Sequence, residues 1–266
     1  MAEVIRIGDA VVAERRSGAE LPARLGPRPH LHPIRTLAGR VVTDTCPDDH
    51  PWHLGLSVAL QDVEGWNFWG GPTYVRDAGY VDLDDRGRIE STALTWSDAG
   101  FDESLSWCTP AETLLRESRR VRARPAVRGW QLDVTTTLTN ATTRLAALGS
   151  PATNGRPGAG YGGLFWRLPP ALAPRVFTAQ GEGEQAVHGS TTPWLAWTDR
   201  DFTLVFATND ADPWFVRVDD YPGVGLQLAP ATPIRLEPGE SLTRNLRVLI
   251  TDGALSPSEA ETWATA

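Results

Sequence analysis

The chain has 266 residues, 41% hydrophobic and 22% charged, which suits one large domain whose core needs neither disulfide nor metal for stability. Its 25 basic and 33 acidic residues leave a net charge of −8, so phosphate backbones are repelled and nucleic acid is not an expected partner. Every basic residue is arginine, and the lack of lysine excludes Schiff-base aldolases, pyridoxal-phosphate enzymes and Walker A phosphate loops.

In chain order, strands are expected over residues 4–7, 11–15, 40–43, 56–60, 89–96, 103–108, 113–122, 130–138, 202–208, 215–218, 225–228 and 242–250. The period of two is clearest where Trp130, Leu132, Val134, Thr136 and Leu138 alternate with Gln131, Asp133, Thr135 and Thr137. Leu242, Leu246, Val248 and Ile250 alternate similarly, with Arg244 interrupting the apolar face. Asp84-Asp85-Arg86-Gly87 reads as a hairpin turn with glycine in the left-handed position, and Asn154-Gly155 and Glu237-Pro238-Gly239 read as further turns. A short helix is expected over residues 256–263, with Ser256 as N-cap and Pro257 first. Helical periodicity is otherwise nearly absent. The expected fold is therefore all-β: a large antiparallel β-sandwich with a short C-terminal helix, in one domain over residues 1–266.

No apolar run exceeds four residues, against the roughly 20 that a membrane helix needs, so no membrane partner is expected. The first six residues lack the layout of a signal peptide, which points to a cytoplasmic protein. Cys46 and Cys108 make no metal spacing and read as buried thiols. Most of the run Arg116, Arg119, Arg120, Arg122, Arg124 and Arg128 reads as a solvated strand face with crossed charges.

Four of the five histidines fall within 24 residues, in Arg28-Pro29-His30-Leu31-His32-Pro33 and Asp48-Asp49-His50-Pro51-Trp52-His53. The prolines make the first segment extended, with His30 and His32 pointing the same way. A loop beside it could bring the imidazoles together. Two chemistries fit: a divalent metal held by His30, His32, His50 and His53 with Asp49 or Asp44, or metal-free acid–base work by a histidine that a carboxylate holds. A third reading is that the histidines only bond strand ends.

The stretch Trp66-Asn67-Phe68-Trp69-Gly70-Gly71 offers flat aromatic faces flanked by polar groups, which suit a sugar ring, although core packing competes for them. Residues 150–163 are rich in Gly and Pro and read as a long functional loop. Gly158, Gly160 and Gly163 match GxGxxG, but a turn precedes them and no crossover helix follows, so a dinucleotide site is rejected. From this loop and the next strand, Tyr161 can donate a proton or hydrogen bond, and Arg156 or Arg167 can hold a carboxylate or oxyanion.

Four segments together resemble a known family. They are His30-Leu31-His32-Pro33-Ile34-Arg35-Thr36, Asp49-His50-Pro51-Trp52-His53-Leu54-Gly55, Asn67-Phe68-Trp69-Gly70-Gly71 and Tyr161-Gly162-Gly163-Leu164-Phe165-Trp166-Arg167. The chain resembles the bacterial family labelled "methane oxygenase PmoA-like" over residues 25–253, with Trp52-His53 where many members carry His-His. The resemblance implies a sandwich similar to galactose mutarotase-like proteins, and a place in carbohydrate metabolism.

The leading expectation is an epimerase, lyase or hydrolase acting on a sugar derivative. His32, Asp49, His50, His53 and Tyr161 would carry catalysis, and His30, Arg35, Trp66, Trp69, Arg156 and Arg167 would bind the substrate, with no cofactor. A metal-dependent isomerase or oxygenase with one divalent ion, and a non-catalytic sugar-binding module, are the alternatives. A homo-oligomer fits either.

Overall fold

The computed structural model describes residues 3–171 and 174–266. Two large antiparallel sheets face one another. The first has seven strands, in the spatial order Val4–Ile7, Ala10–Arg16, His30–Ile34, Leu56–Ala59, Gly163–Arg167, Gly223–Leu226 and Trp214–Arg217. The second has eight: Arg175–Phe177, Trp194–Thr198, Phe202–Ala207, Ser241–Asp252, Trp130–Asn140, Thr113–Pro125, Gly100–Cys108 and Arg88–Ser97. The expected all-β sandwich is the observed one. The helix Pro257–Ala264 closes the chain behind a capping box, in which Ser256 accepts from the Glu259 backbone and Glu259 accepts from that of Ser256. No helix among the described residues is long and apolar enough to cross a membrane.

The long strands register as their alternation requires. Val134 sits opposite Val121 on one side and Leu246 on the other, all three buried between the sheets. The same interior holds charge. Arg119 donates to Glu117 (2.7 Å) and to the Pro29 carbonyl (3.0 Å), and Arg15 pairs with Glu103. Arg119 is the inward exception in a basic run expected to be mostly solvated: its neighbours Arg116 and Arg120 point outward, while the period of two turns Arg119 inward.

Four further expectations are corrected. Residues 40–43 form no strand, only a bridge from Val41 to Arg35. The turn at 84–87 joins no hairpin; the hairpin lies just before it, pairing Thr73–Val75 with Gly79–Val81. Gly87 is not left-handed; a Cβ there would meet the Phe68 ring at 2.3 Å, so it is glycine for close approach. Cys46 is exposed and Cys108 half-buried.

The outer face of the seven-stranded sheet carries a second apolar cluster. Leu56, Val58, Leu164, Trp166, Trp214 and Val216 point into the sandwich. Their neighbours in sequence point the other way. Ala59, Phe165 and Phe215 form a separate apolar cluster with Trp69, Ala159 and Tyr161, covered by loops.

Candidate functional site

That outer cluster floors a cleft of about 500 Å³, walled by His50, Trp52, His53, Tyr161, Arg156 and Arg217, with Gln61, Trp69, Tyr80, Phe215, Asp220 and Tyr221 completing it. Three of the loops that build it have a local reason for their shape.

The first loop runs from Cys46 to His53 and is closed by the bridge between Thr45 and Leu54. Its tip is a β-turn: the His53 backbone N–H donates to the His50 carbonyl (2.9 Å) with Pro51 in the second position, where a fixed φ is favoured. First and fourth residues of a turn lie side by side, so the two imidazoles stack with centroids 4.7 Å apart and planes 15° from parallel. His50 Nδ1 donates to Asp49 Oδ2 (2.8 Å). Both carboxylate oxygens of Asp49 accept from Arg167 Nη2, at 2.9 and 3.0 Å. Burial alone would raise the Asp49 carboxyl, but the His50 hydrogen bond and the Arg167 charge outweigh it and hold it below the ordinary range.

These contacts fix the tautomers. A carboxylate only accepts, so neutral His50 carries its hydrogen on Nδ1 and leaves Nε2 as a lone pair. A guanidinium only donates, so His53 Nδ1 accepts from Arg167 Nη1 (3.4 Å) and Nε2 carries the hydrogen. Burial, then the charges of His50, Arg167 and Arg28, pushes His53 well below its ordinary pKa and keeps it neutral. One imidazole is thus a base and its neighbour a hydrogen-bond donor.

The second loop presents Trp69. Asn67 is buried, and its Oδ1 accepts from the backbones of Trp69 (2.8 Å) and Gly70 (2.9 Å). Gly71 has φ +67°, and a Cβ there would lie 2.5 Å from the Trp52 ring, so the Gly-Gly pair makes room for that indole. Behind both loops lies Arg28, fully buried without a carboxylate among the described residues. It donates to the carbonyls of Gly26 (2.8 Å), Trp69 (2.9 Å) and Trp52 (3.0 Å) and to Ser57 Oγ (3.1 Å), tying the two tryptophan-bearing loops together. Burial and the nearby Arg119 lower it to about 9, still charged at neutral pH.

The third loop, residues 150–162, carries Arg156 and Tyr161. Gln61 Nε2 donates to the Tyr161 hydroxyl (2.9 Å), Tyr80 shares a hydrogen bond with it (3.0 Å), and Arg156 donates to Tyr80 (2.5 Å). Burial first, and Tyr80 second, raise Tyr161 well above its ordinary pKa, so it serves as a donor and not a base.

Of the expected site residues, His50, His53, Trp69, Arg156 and Tyr161 line the cleft, with Asp49 and Arg167 directly behind. The others lie elsewhere. His30 lines a small cavity between the two sheets and bonds the Arg28 carbonyl (3.1 Å); burial lowers it to about 4. His32 bonds Thr43 Oγ1 (3.0 Å), and burial with Arg16 and Arg35 lowers it to about 4. Trp66 packs on the edge of the main core, and Arg35 reaches the Gly39 carbonyl (3.5 Å). The four-histidine metal set therefore does not assemble, and no three His, Cys, Asp or Glu side chains converge on a metal position among the described residues. Arg28, Gln61, Tyr80, Arg217 and Tyr221 were not expected. Only Arg28, set between two prolines beside the histidines, had a signal in sequence.

The chain belongs to the family of unknown function DUF6807, whose model matches residues 3–265. This corrects the resemblance drawn from the four segments: the match gives no PmoA-like assignment. No curated protein matches in sequence. Among solved structures, the chain is similar to a putative aldose 1-epimerase from Escherichia coli K12, at 16% identity and TM-score 0.43, over 66% of this chain and 73% of that one. It is also similar to a polysaccharide lyase (13%, TM-score 0.36, 68% of this chain and 25% of that one). A third is the galactosidase domain of an α-galactosidase–sucrose kinase (8%, TM-score 0.41, 93% of this chain and 37% of that one). At these scores no activity carries over to this chain.

Proposed function

We propose that this member of DUF6807 is a carbohydrate-active enzyme that moves a proton at a sugar carbon, as an epimerase or lyase, with His50 as general base. The observation behind this reading is the chain Arg167–Asp49–His50, which ends in a cleft-lining imidazole with its free lone pair on Nε2. A base held by a carboxylate, itself held by a guanidinium, has the orientation that general base catalysis needs. His53 Nε2 and the Tyr161 hydroxyl supply neutral donors for an oxygen that gains charge as the proton leaves. Trp52, Trp69 and Phe215 supply flat apolar surface for a ring, and the volume suits a mono- or disaccharide.

Hydrolysis fits less well than epimerisation or elimination. Glycoside hydrolysis normally uses two facing carboxylates, and among the described cleft residues only Asp220 carries one.

The test is a proton NMR time course over a panel of sugars and sugar derivatives. Wild type should generate a new product from at least one, and His50→Ala should lose it at an unchanged melting temperature. Binding of a sugar with no product from any would instead indicate a binding module.

A further inference from the structure

The cleft has an uncompensated cation at its rim. Arg156 places Nη1 on the Tyr80 hydroxyl (2.5 Å), and its guanidinium lies 5.0 Å over the Tyr80 ring. No carboxylate lies within 4 Å of it among the described residues, and its Nε and Nη2 hydrogens have no partner there. The other guanidinium of the cleft is different: Arg217 has Glu184 at 3.5 Å and donates to the carbonyls of Val216 (2.8 Å) and Gly158 (3.1 Å). A third guanidinium, Arg76, rests against the same loop, 2.9 Å from where a Cβ of Gly155 would be. In a chain of net charge −8, these three guanidiniums lie at or beside a cleft whose lining has one carboxylate, Asp220.

We propose that the substrate is an anionic saccharide, a sugar acid whose carboxylate is received by Arg156. The inference rests on the reading of the cleft as a sugar site and names its substrate class. The Arg156 edge formed by Nε and Nη2 is a planar two-donor fork, which matches the two oxygens of a carboxylate. One uncompensated guanidinium suits a monoanion better than a phosphate dianion. Tyr80 and Tyr161 hold the guanidinium in place, because the hydrogen-bonded chain from Gln61 through both phenols ends on it. Arg167, the other arginine considered for this role, is spent on Asp49 and buried behind His50.

The test is calorimetric titration with D-glucuronate, D-galacturonate and D-gluconate, beside D-glucose, D-galactose and glucose 6-phosphate. The proteins are wild type, Arg156→Gln and His50→Ala. At least one acid should bind wild type tenfold or more tighter than its neutral counterpart, and that margin should shrink to under threefold in Arg156→Gln. His50→Ala should keep the margin in the titration while giving no product in the NMR time course, so a failed proton-transfer reading and a failed substrate class give different results. Equal binding of acid and neutral sugar, or no binding of any acid, would overturn the proposal. So would an Arg156-dependent preference for glucose 6-phosphate over the acids, or a margin that Arg156→Gln leaves intact.

Discussion

His50 and His53 stack at 4.7 Å because Pro51 makes them the first and last residues of one turn. The turn gives two chemically similar side chains opposite roles. Asp49 binds Nδ1 of one and Arg167 faces Nδ1 of the other, so the two Nε2 atoms differ by a hydrogen. Acid–base chemistry needs such a pair, and a pair with identical partners would not provide it.

Asp49→Asn tests that division of roles. The amide can turn its NH2 toward His50 and move the imidazole hydrogen to Nε2, which removes the base. Turnover should fall by about 10²–10⁴-fold, the usual range for a lost general base, with KM changing far less. Steady-state kinetics on the substrate identified by NMR reads the outcome, and an unchanged kcat would show that His50 is not the base.

Arg28 should be a structural requirement of the site. Arg28→Met abandons the carbonyls of Gly26, Trp69 and Trp52 and the Ser57 hydroxyl, and each buried group left unsatisfied costs about 1–3 kcal/mol before relaxation. A loss of about 3 kcal/mol or more is expected in urea unfolding. A loss below about 1 kcal/mol would mean that the two tryptophan-bearing loops hold without it.

Gly71→Ala should displace Trp52. The added methyl meets the indole, and a φ of +67° is unfavourable for alanine. The expected cost is about 1–3 kcal/mol, accompanied by weaker sugar binding at the cleft. Wild-type affinity in a folded Gly71→Ala variant would remove Trp52 from the binding surface.

His30 makes stability depend on pH with a definite sign. Its folded pKa is near 4, against about 6.5 for a free imidazole, so the unfolded chain binds the extra proton between those values. Stability is then fully present above pH 6.5, falls as pH drops toward 4, and levels off below it. The full effect of such a shift is about 3 kcal/mol. His30→Asn removes the titration, so its melting temperature should fall less between pH 6.5 and 4.5 than that of the wild type. Parallel curves would show that His30 is not the group responsible.

The fold was most legible in the long strands with only one buried face. In Trp130–Asn140 polar threonines mark the outer face, and the expected strand is extended by two residues. Gly163–Arg167 and Trp194–Thr198, buried throughout, lack the period of two and escaped, although Phe202–Ala207, equally buried, did not. The same cause hid much of the site. Phe165 and Arg167 belong to a face that looks like core in sequence but is roofed by loops. The Asp49-His50-Pro51-Trp52-His53 block was readable because a turn confines its chemistry to adjacent residues. His30 and His32 misled for the opposite reason: His30 shares a sheet face with Ser57 and Phe165, yet it is tied to the Arg28 carbonyl, as His32 is to Thr43, and neither lines the cleft. Tyr80, Arg217 and Tyr221 arrive from distant segments with no local pattern to mark them.

The most direct measurement is solvent hydrogen exchange at carbon. The protein is incubated with the sugar panel in D2O, and each C–H signal is followed by proton NMR. If His50 Nε2 takes a proton from a sugar carbon, wild type should wash deuterium into one position of a bound sugar while His50→Ala leaves that proton in place. Retention of every carbon-bound proton in a sugar that demonstrably binds, or equal exchange by His50→Ala, would contradict the account.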